Sequence, residues 1–515
     1  MKRSLAVLIS LALVCICGFA SVGTAEGSGY PLDTDTTLRV WFADIAISGT
    51  YTSQAEALMF QKIEELTGVT VEWIAPPASS DADTAYNLMM ASSDLPDIIW
   101  SKHIVNNALT YLDDGVIIDL TDYLTEEYMP NLMAVYEENP TYALATRTDD
   151  GRIYGTPSVV QATSWQGPWM RTDWLEAVRL ASPETIDDWT AVLTAFKSQY
   201  NAAFSTPKLE NDVFLGAYGL PKFNQNNGFF QKDGKIQYVA DSDGYKAYLT
   251  QLNEWYKAGL IDPDFMTNDE TAVVNKAANG ETGAISGFQV TGAHIKTAQG
   301  VYGTDGNWKP IAYPKLVGGE RSLVEMGLDV IGMANAITTQ CKDVGVAVRF
   351  LDWMYSREGI NTFNFGIEGI SFVYDENGNP QYTDEFLNGP EGMVEYARRY
   401  TAVVGNAPSI KSAEAGNARN DAASNEAEAV WKSDWTNADW AEIVLPILGA
   451  TEEENEQTTD AIAALNTYVK EATYSFVTGE RSLDTWDAYL AELNKIGLER
   501  VKTIRQAQLD RVNAR

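Results

Sequence analysis

Leu38-Arg39-Val40-Trp41-Phe42, Val69-Thr70-Val71-Glu72-Trp73-Ile74 and Pro96-Asp97-Ile98-Ile99-Trp100 are three short apolar runs rich in β-branched and aromatic residues, the composition of strands that enter a core. Between the first and second, Ala55, Leu58, Met59, Ile63 and Leu66 recur at helical spacing from Gln54, and Gly68 follows as a stop signal. Pro76-Pro77 ends the second run, and a helix is expected from about Ala82 to Ala91. Strand, helix, strand, helix, strand at this spacing predicts a parallel α/β lobe. Ligands of such sheets sit beyond the carboxyl ends of the strands. That rule singles out Trp41, Phe42 and Trp100.

Further along, a polar connection at Asp149-Asp150-Gly151-Arg152 precedes the aromatic stretch Trp165-Gln166-Gly167-Pro168-Trp169-Met170-Arg171. Thr185 and Asp188 form a capping-box-like start for a helix whose face carries Trp189, Val192, Leu193 and Phe196. Ala347, Phe350, Leu351 and Met354 predict another amphipathic helix, as do Trp486, Tyr489, Leu490 and Leu493. Gly283-Ala284-Ile285-Ser286-Gly287-Phe288 reads as a strand within this helix-rich remainder. Glu452 to Glu456 is an acidic run that fits a solvated helix start. The chain contains no internal repeat.

The N-terminus speaks for export. Lys2 and Arg3 precede an apolar run from Leu5 to Phe19, and small residues lead to Ala25, the pattern of a secretory signal peptide. Cleavage after Ala25 fits best, with Gly23 and Ala25 at the two selective positions. A lipid-attachment reading competes through Cys15 and Cys17, but Val14 and Ile16 stand where a small residue is wanted. Cleavage would leave Cys341 as the lone thiol, so a core and not a disulfide must stabilise the fold. The remaining 490 or so residues suit two or three domains (~150 residues each). The net charge of −34 becomes −36 once Lys2 and Arg3 are removed. So acidic a surface repels nucleic acid and anionic lipid.

The order of landmarks resembles the family 1 extracellular solute-binding proteins of ABC importers, in their large oligosaccharide-binding branch. The stretches are Leu95-Pro96-Asp97-Ile98-Ile99, Asp150-Gly151-Arg152-Ile153-Tyr154-Gly155-Thr156-Pro157, Arg171-Thr172-Asp173-Trp174-Leu175 and Pro183-Glu184-Thr185-Ile186-Asp187-Asp188-Trp189. They continue with Gly259-Leu260-Ile261-Asp262-Pro263-Asp264-Phe265, Tyr355-Ser356-Arg357-Glu358-Gly359, Gly366-Ile367-Glu368-Gly369 and Phe476-Val477-Thr478-Gly479-Glu480-Arg481-Ser482-Leu483. The resemblance covers about 35 to 510. It implies a two-lobed, periplasmic-binding-protein-like α/β fold of type II that closes on a sugar and delivers it to ABC transporter permease subunits. On that pattern residues 26–155 and 283–331 form the N-terminal lobe, and 156–282 and 332–515 the C-terminal one. The chain would cross near Thr156, Gly283 and Gly332. A monomer is expected. Some relatives carry a calcium loop after the helix ending near Phe196. Here that region, Lys197 to Phe204, lacks a chain of oxygen ligands, so neither a metal nor a cofactor is expected. Asp375-Glu376-Asn377-Gly378-Asn379 reads as a hairpin turn.

Sugar recognition needs aromatic platforms for C–H faces and planar polar groups for hydroxyls. Trp165 and Trp169 are the leading platforms, on the expectation that Gly167-Pro168 breaks regular structure and frees both rings; packing between helices is the alternative. Trp41, Phe42, Trp100 and Phe288 rest on the strand-end argument. Arg171 either forks two hydroxyls or a uronate, or pairs with Asp173. Glu368, between glycines, either meets sugar hydroxyls or caps a helix. Gln161 and Gln166 offer amides. Trp174, Trp189 and Trp486 are expected in the core. Enzymatic readings have less to stand on. His103 and His294 are the only histidines, and Walker A, GxGxxG and GxSxG motifs are absent. A secreted hydrolase or lyase working with two carboxylates stays open, as does a polymer-binding adhesin.

Overall fold

The first run becomes strand β1 (Thr37–Phe42), hydrogen-bonded in parallel to β2 (Thr70–Ile74) on one side and β3 (Ile98–Ser101) on the other. The helices between them span Leu58–Thr67 and Ala82–Met90, and Gly68 closes the first at a φ of 73°, a left-handed conformation that glycine adopts without strain. This computed structural model describes residues 29–42, 57–75, 81–207, 213–222, 225–319, 321–322, 329–402, 407–432 and 443–514. The leader, Cys15, Cys17, the cleavage point after Ala25 and Pro76-Pro77 lie outside them.

The remaining strands are β4 (Thr156–Val160), β5 (Gln166–Arg171), β6 (Phe204–Ser205), β7 (Phe229–Lys232), β8 (Lys235–Tyr238), β9 (Ala284–Phe288), β10 (Trp308–Pro310), β11 (Val330–Ile337), β12 (Phe372–Tyr374), β13 (Pro380–Tyr382) and β14 (Ile410–Lys411). Two sheets dominate. One is six-stranded in the order β14-β4-β11-β3-β1-β2; the other is four-stranded in the order β10-β5-β9-β6. β7 pairs with β8 and β12 with β13 as separate hairpins. The turn of the second hairpin is Asp375 to Asn379, where Asp375 accepts from the N–H groups of Asn377 and Asn379 at 2.8 Å each.

Each sheet gathers its own core. Helices Val344–Trp353 and Arg357–Phe365 lay Ala347, Phe350, Leu351 and Phe363 on the first sheet beside Val40, Phe42 and Trp100. Helices Ile186–Tyr200, Glu452–Thr478, Trp486–Ile496 and Leu498–Asn513 build the second core around Trp169, Trp189 and Trp255. The caps follow the sequence. Thr185 with Asp188 and Thr451 with Glu454 both form capping boxes, each satisfying two N–H groups at the helix start. Trp174, Trp189 and Trp486 are buried. Among the described residues no helix is long and apolar enough to cross a membrane.

The segments fall to the two sheets differently from the expected division. β4 lies between β11 and β14 in the six-stranded sheet, with both edges hydrogen-bonded there, so the chain leaves that sheet after Val160 and not near Thr156. β9 is held between β5 and β6, which puts Ala284–Phe288 in the second sheet and not with residues 26–155. β11 pairs with β3 and β4, so the chain does not cross at Gly332 but stays with the first sheet up to β14. Passage between the sheets therefore occurs at 161–165, between 311 and 329, and at 412–421.

Candidate functional site

Three connecting segments meet beside the ends of β5 and β9, and short polar bonds lace them together. Gln161 accepts from the Ala413 N–H at 3.1 Å, while its own N–H reaches the Lys411 carbonyl at 3.0 Å. Asp329, at the end of the second passage, accepts from the Ala162 N–H at 2.8 Å and also bonds the Tyr142 hydroxyl. Gln289, directly after β9, donates from Nε2 to the Ser164 carbonyl at 2.8 Å, and its backbone N–H donates to the Trp165 carbonyl at 3.1 Å. Its Oε1 accepts from Asn420 Nδ2 at 3.4 Å.

Trp165 closes the first passage, and 57 % of its surface is exposed. The Gln166–Phe288 register sets the start of β5 beside the end of β9, so the Trp165 and Phe288 rings lie 5.9 Å apart with planes tilted by 52°. Phe288 is half-buried. An open indole next to a partly open phenyl ring, backed by amides, can take the C–H face of a pyranose.

Trp169 does not share that role. Gly167-Pro168 does not interrupt the strand; both lie within β5, opposite Gly287 and Ser286. Gly167 and Trp169, two apart, face the same way, and Trp431 covers that face. A Cβ on Gly167 would stand 2.3 Å from the Trp431 ring, and the Trp169 and Trp431 rings meet edge to face at 5.9 Å. The Trp169 indole N–H donates to the Phe288 carbonyl at 3.0 Å. Trp169 is core; Trp165 lies just before the strand and escapes the cover.

Five other expected residues are also spent on structure. Phe42 and Trp100 stack on each other at 4.3 Å within the first core, because the register pairs them directly across β1 and β3. Arg171 is buried and forks Asp173 at 2.8 and 2.5 Å over the Trp174 ring, the ion-pair alternative of the sequence reading. Burial raises the Asp173 carboxyl, but the Arg171 guanidinium and the Asn307 N–H outweigh it and hold it below its ordinary value. Gln166 is buried, donating to Ser286 Oγ at 3.2 Å and accepting from Lys222 Nζ at 3.0 Å. Trp41 is buried among Ala85, Tyr86 and Ile99, and its indole N–H has no partner among the described residues.

Glu368 is exposed, in a bridge to Phe372, and caps none of the described helices. Among the described residues no cluster of His, Cys, Asp or Glu could hold a metal ion. The sequence reading passed over Gln289 and Asn420. Neither belongs to an amphipathic pattern, and only the fold brings residues 131 positions apart into contact.

Comparison with known proteins agrees with this architecture. A family model described as "Bacterial extracellular solute-binding protein" matches residues 59–385. The fructooligosaccharide ABC transporter substrate-binding protein FusA of Streptococcus pneumoniae is 24% identical over 552 aligned residues, covering 100% of this chain and 98% of that protein. Among solved structures, an HMO-binding, ABC-transporter-associated solute-binding protein from Bifidobacterium longum infantis superposes with a TM-score of 0.75 at 19% identity, over 93% of this chain and 99% of that one. The alginate-binding protein AlgQ2 without calcium ion superposes with a TM-score of 0.69 at 23% identity, over 93% and 99% of the two chains. These likenesses confirm the two-lobed fold.

Proposed function

Because the chain belongs to the bacterial extracellular solute-binding protein family, we propose that it captures a carbohydrate, specifically an oligosaccharide, between its two sheet-centred lobes and hands it to the permease subunits of an ABC importer. The observation that carries this reading is the open Trp165 ring beside Phe288, at the junction of the connecting segments. The fructooligosaccharide cargo named for the Streptococcus relative supports a sugar ligand. The site performs no chemistry on its cargo; it binds, and the lobes swing on passages that include residues 161–165 and 412–421. The protein acts as a monomer outside the membrane, released by cleavage after Ala25.

A thermal-shift panel of defined neutral and acidic oligosaccharides, their monosaccharides and long polymers tests the reading. A short oligosaccharide should raise Tm in proportion to the logarithm of its concentration above Kd, and chromatography should recover it intact. Cleaved sugar would identify a hydrolase or lyase instead. Response to long polymer alone would identify an adhesin.

A further inference from the structure

We infer that Gln289 is the positioning residue that couples the aromatic platform to the swing of the lobes. This rests on the carbohydrate-capture reading for its ligand, but not for its geometry. Gln289 follows Phe288 directly, and its side chain is almost wholly buried, with 4 % of the residue exposed. Two of its N–H groups are spent on consecutive carbonyls of the first passage: Nε2 on Ser164 at 2.8 Å and the backbone N–H on Trp165 at 3.1 Å. Those two bonds fix the peptide that carries the Trp165 indole against the end of β9. The opposite end of the same amide, Oε1, receives Asn420 Nδ2. Asn420 stands at the C-terminal end of the Ala413–Arg419 helix, in the third passage. A single planar group therefore joins platform and two passages, and rotating it to improve one bond moves the other.

The bonds are unequal. The Ser164 link is of ordinary length, whereas the Asn420 link at 3.4 Å lies beyond the usual N–H···O range. The slack is on the third passage, which leads from the first sheet into the Ala422–Trp431 helix of the second core. Closure that carries Asn420 toward Gln289 shortens this bond, and a sugar seated on Trp165 and Phe288 holds the platform end still. Asn420 is half-buried. Occupancy of the platform and closure of the lobes thus share one hydrogen-bonded link.

Gln289→Leu removes all side-chain bonds at similar volume, and Asn420→Ala cuts only the slack half, at a half-buried position. Hydrogen exchange on the ligand-free proteins is read first. Gln289→Leu should speed amide exchange by tenfold or more at both 164–166 and 418–421, with helix Ala422–Trp431 unchanged. Faster exchange in only one of the two segments, or in neither, overturns the link whatever the ligand proves to be. Oligosaccharide binding and ligand-induced contraction by small-angle X-ray scattering are read second. Each single variant should bind more weakly, Gln289→Leu by about tenfold (~1.4 kcal/mol), with reduced contraction. The double variant should be no weaker than Gln289→Leu alone, because both changes cut the same link. Wild-type contraction in Gln289→Leu, or losses that simply add, would overturn the coupling. Should no sugar bind the unmodified protein, the capture reading falls and the exchange result alone decides the link.

Discussion

Arg511 Nε donates to Asp149 Oδ2 at 2.6 Å, joining the final helix, which packs in the second core, to a turn of the first lobe 362 positions earlier in the chain. The same guanidinium forks both oxygens of Glu454 at 2.8 Å each and reaches the Gly449 carbonyl at 3.0 Å. Exposed pairs contribute little, but a fork onto two partly buried carboxylates is more favourable geometry. Arg511→Met should therefore lower stability by about 1 kcal/mol, a Tm loss of roughly 1–3 °C, read by differential scanning calorimetry. Burial raises the Glu454 carboxyl, yet Arg511, the Thr451 N–H and Gln508 together hold it below the usual value of 4.5. A depressed acid stabilises above its unfolded pKa, and loses that contribution as pH falls through the folded one. The deficit of the variant should be full at pH 7 and shrink as the pH falls below 4.5.

Asp352 carries the opposite sign. Burial dominates and pushes its carboxyl up to about 6, against the downward pull of the Leu132 N–H and the Asn131 amide. The folded state then holds the proton over a range in which the unfolded chain has released it, so stability falls as pH rises from about 4 to about 6. The rise from 3.8 to about 6 corresponds to on the order of 3 kcal/mol. Asp352→Asn should flatten this slope in a Tm series from pH 4 to pH 7. An unchanged slope in the variant would contradict the assignment.

The two tryptophans of the aromatic stretch should separate cleanly in a stability measurement. Trp169→Ala empties a space closed by Trp431 and Gly292 and should cost about 3–5 kcal/mol. Trp165→Ala removes a mostly exposed ring and should change stability by less than ~0.5 kcal/mol. Urea unfolding of both variants checks this, and equal losses would contradict the placement of Trp165.

That contrast also shows how far a sequence can be read. Local information was enough for β1, β2 and β3, for the Thr185 cap, for the helix start at the Glu452 acidic run, and for the face carrying Trp189 and Phe196, because period, propensity and capping act within a few residues. Which edge a strand pairs with is non-local. Thr156–Val160 and Ala284–Phe288 are both short strands, and only their partners, β11 with β14 and β5 with β6, assign them to different sheets. Trp165 and Trp169 look alike along the chain. They part because Trp431, 262 positions beyond Trp169, covers one and leaves the other open. Phe42 and Trp100 do occupy strand ends, as expected, but each uses its face on the other.

On the proposed function, a sugar is held on the aromatic pair between the lobes. Isothermal titration calorimetry of the mature protein with the best oligosaccharide from the thermal-shift panel, beside Trp165→Ala and Phe288→Ala, tests it most directly. Saturable one-to-one binding is expected, weakened by about 5- to 30-fold in either variant (~1–2 kcal/mol), with the sugar recovered unchanged. Wild-type affinity in both variants, with folding intact, would contradict it.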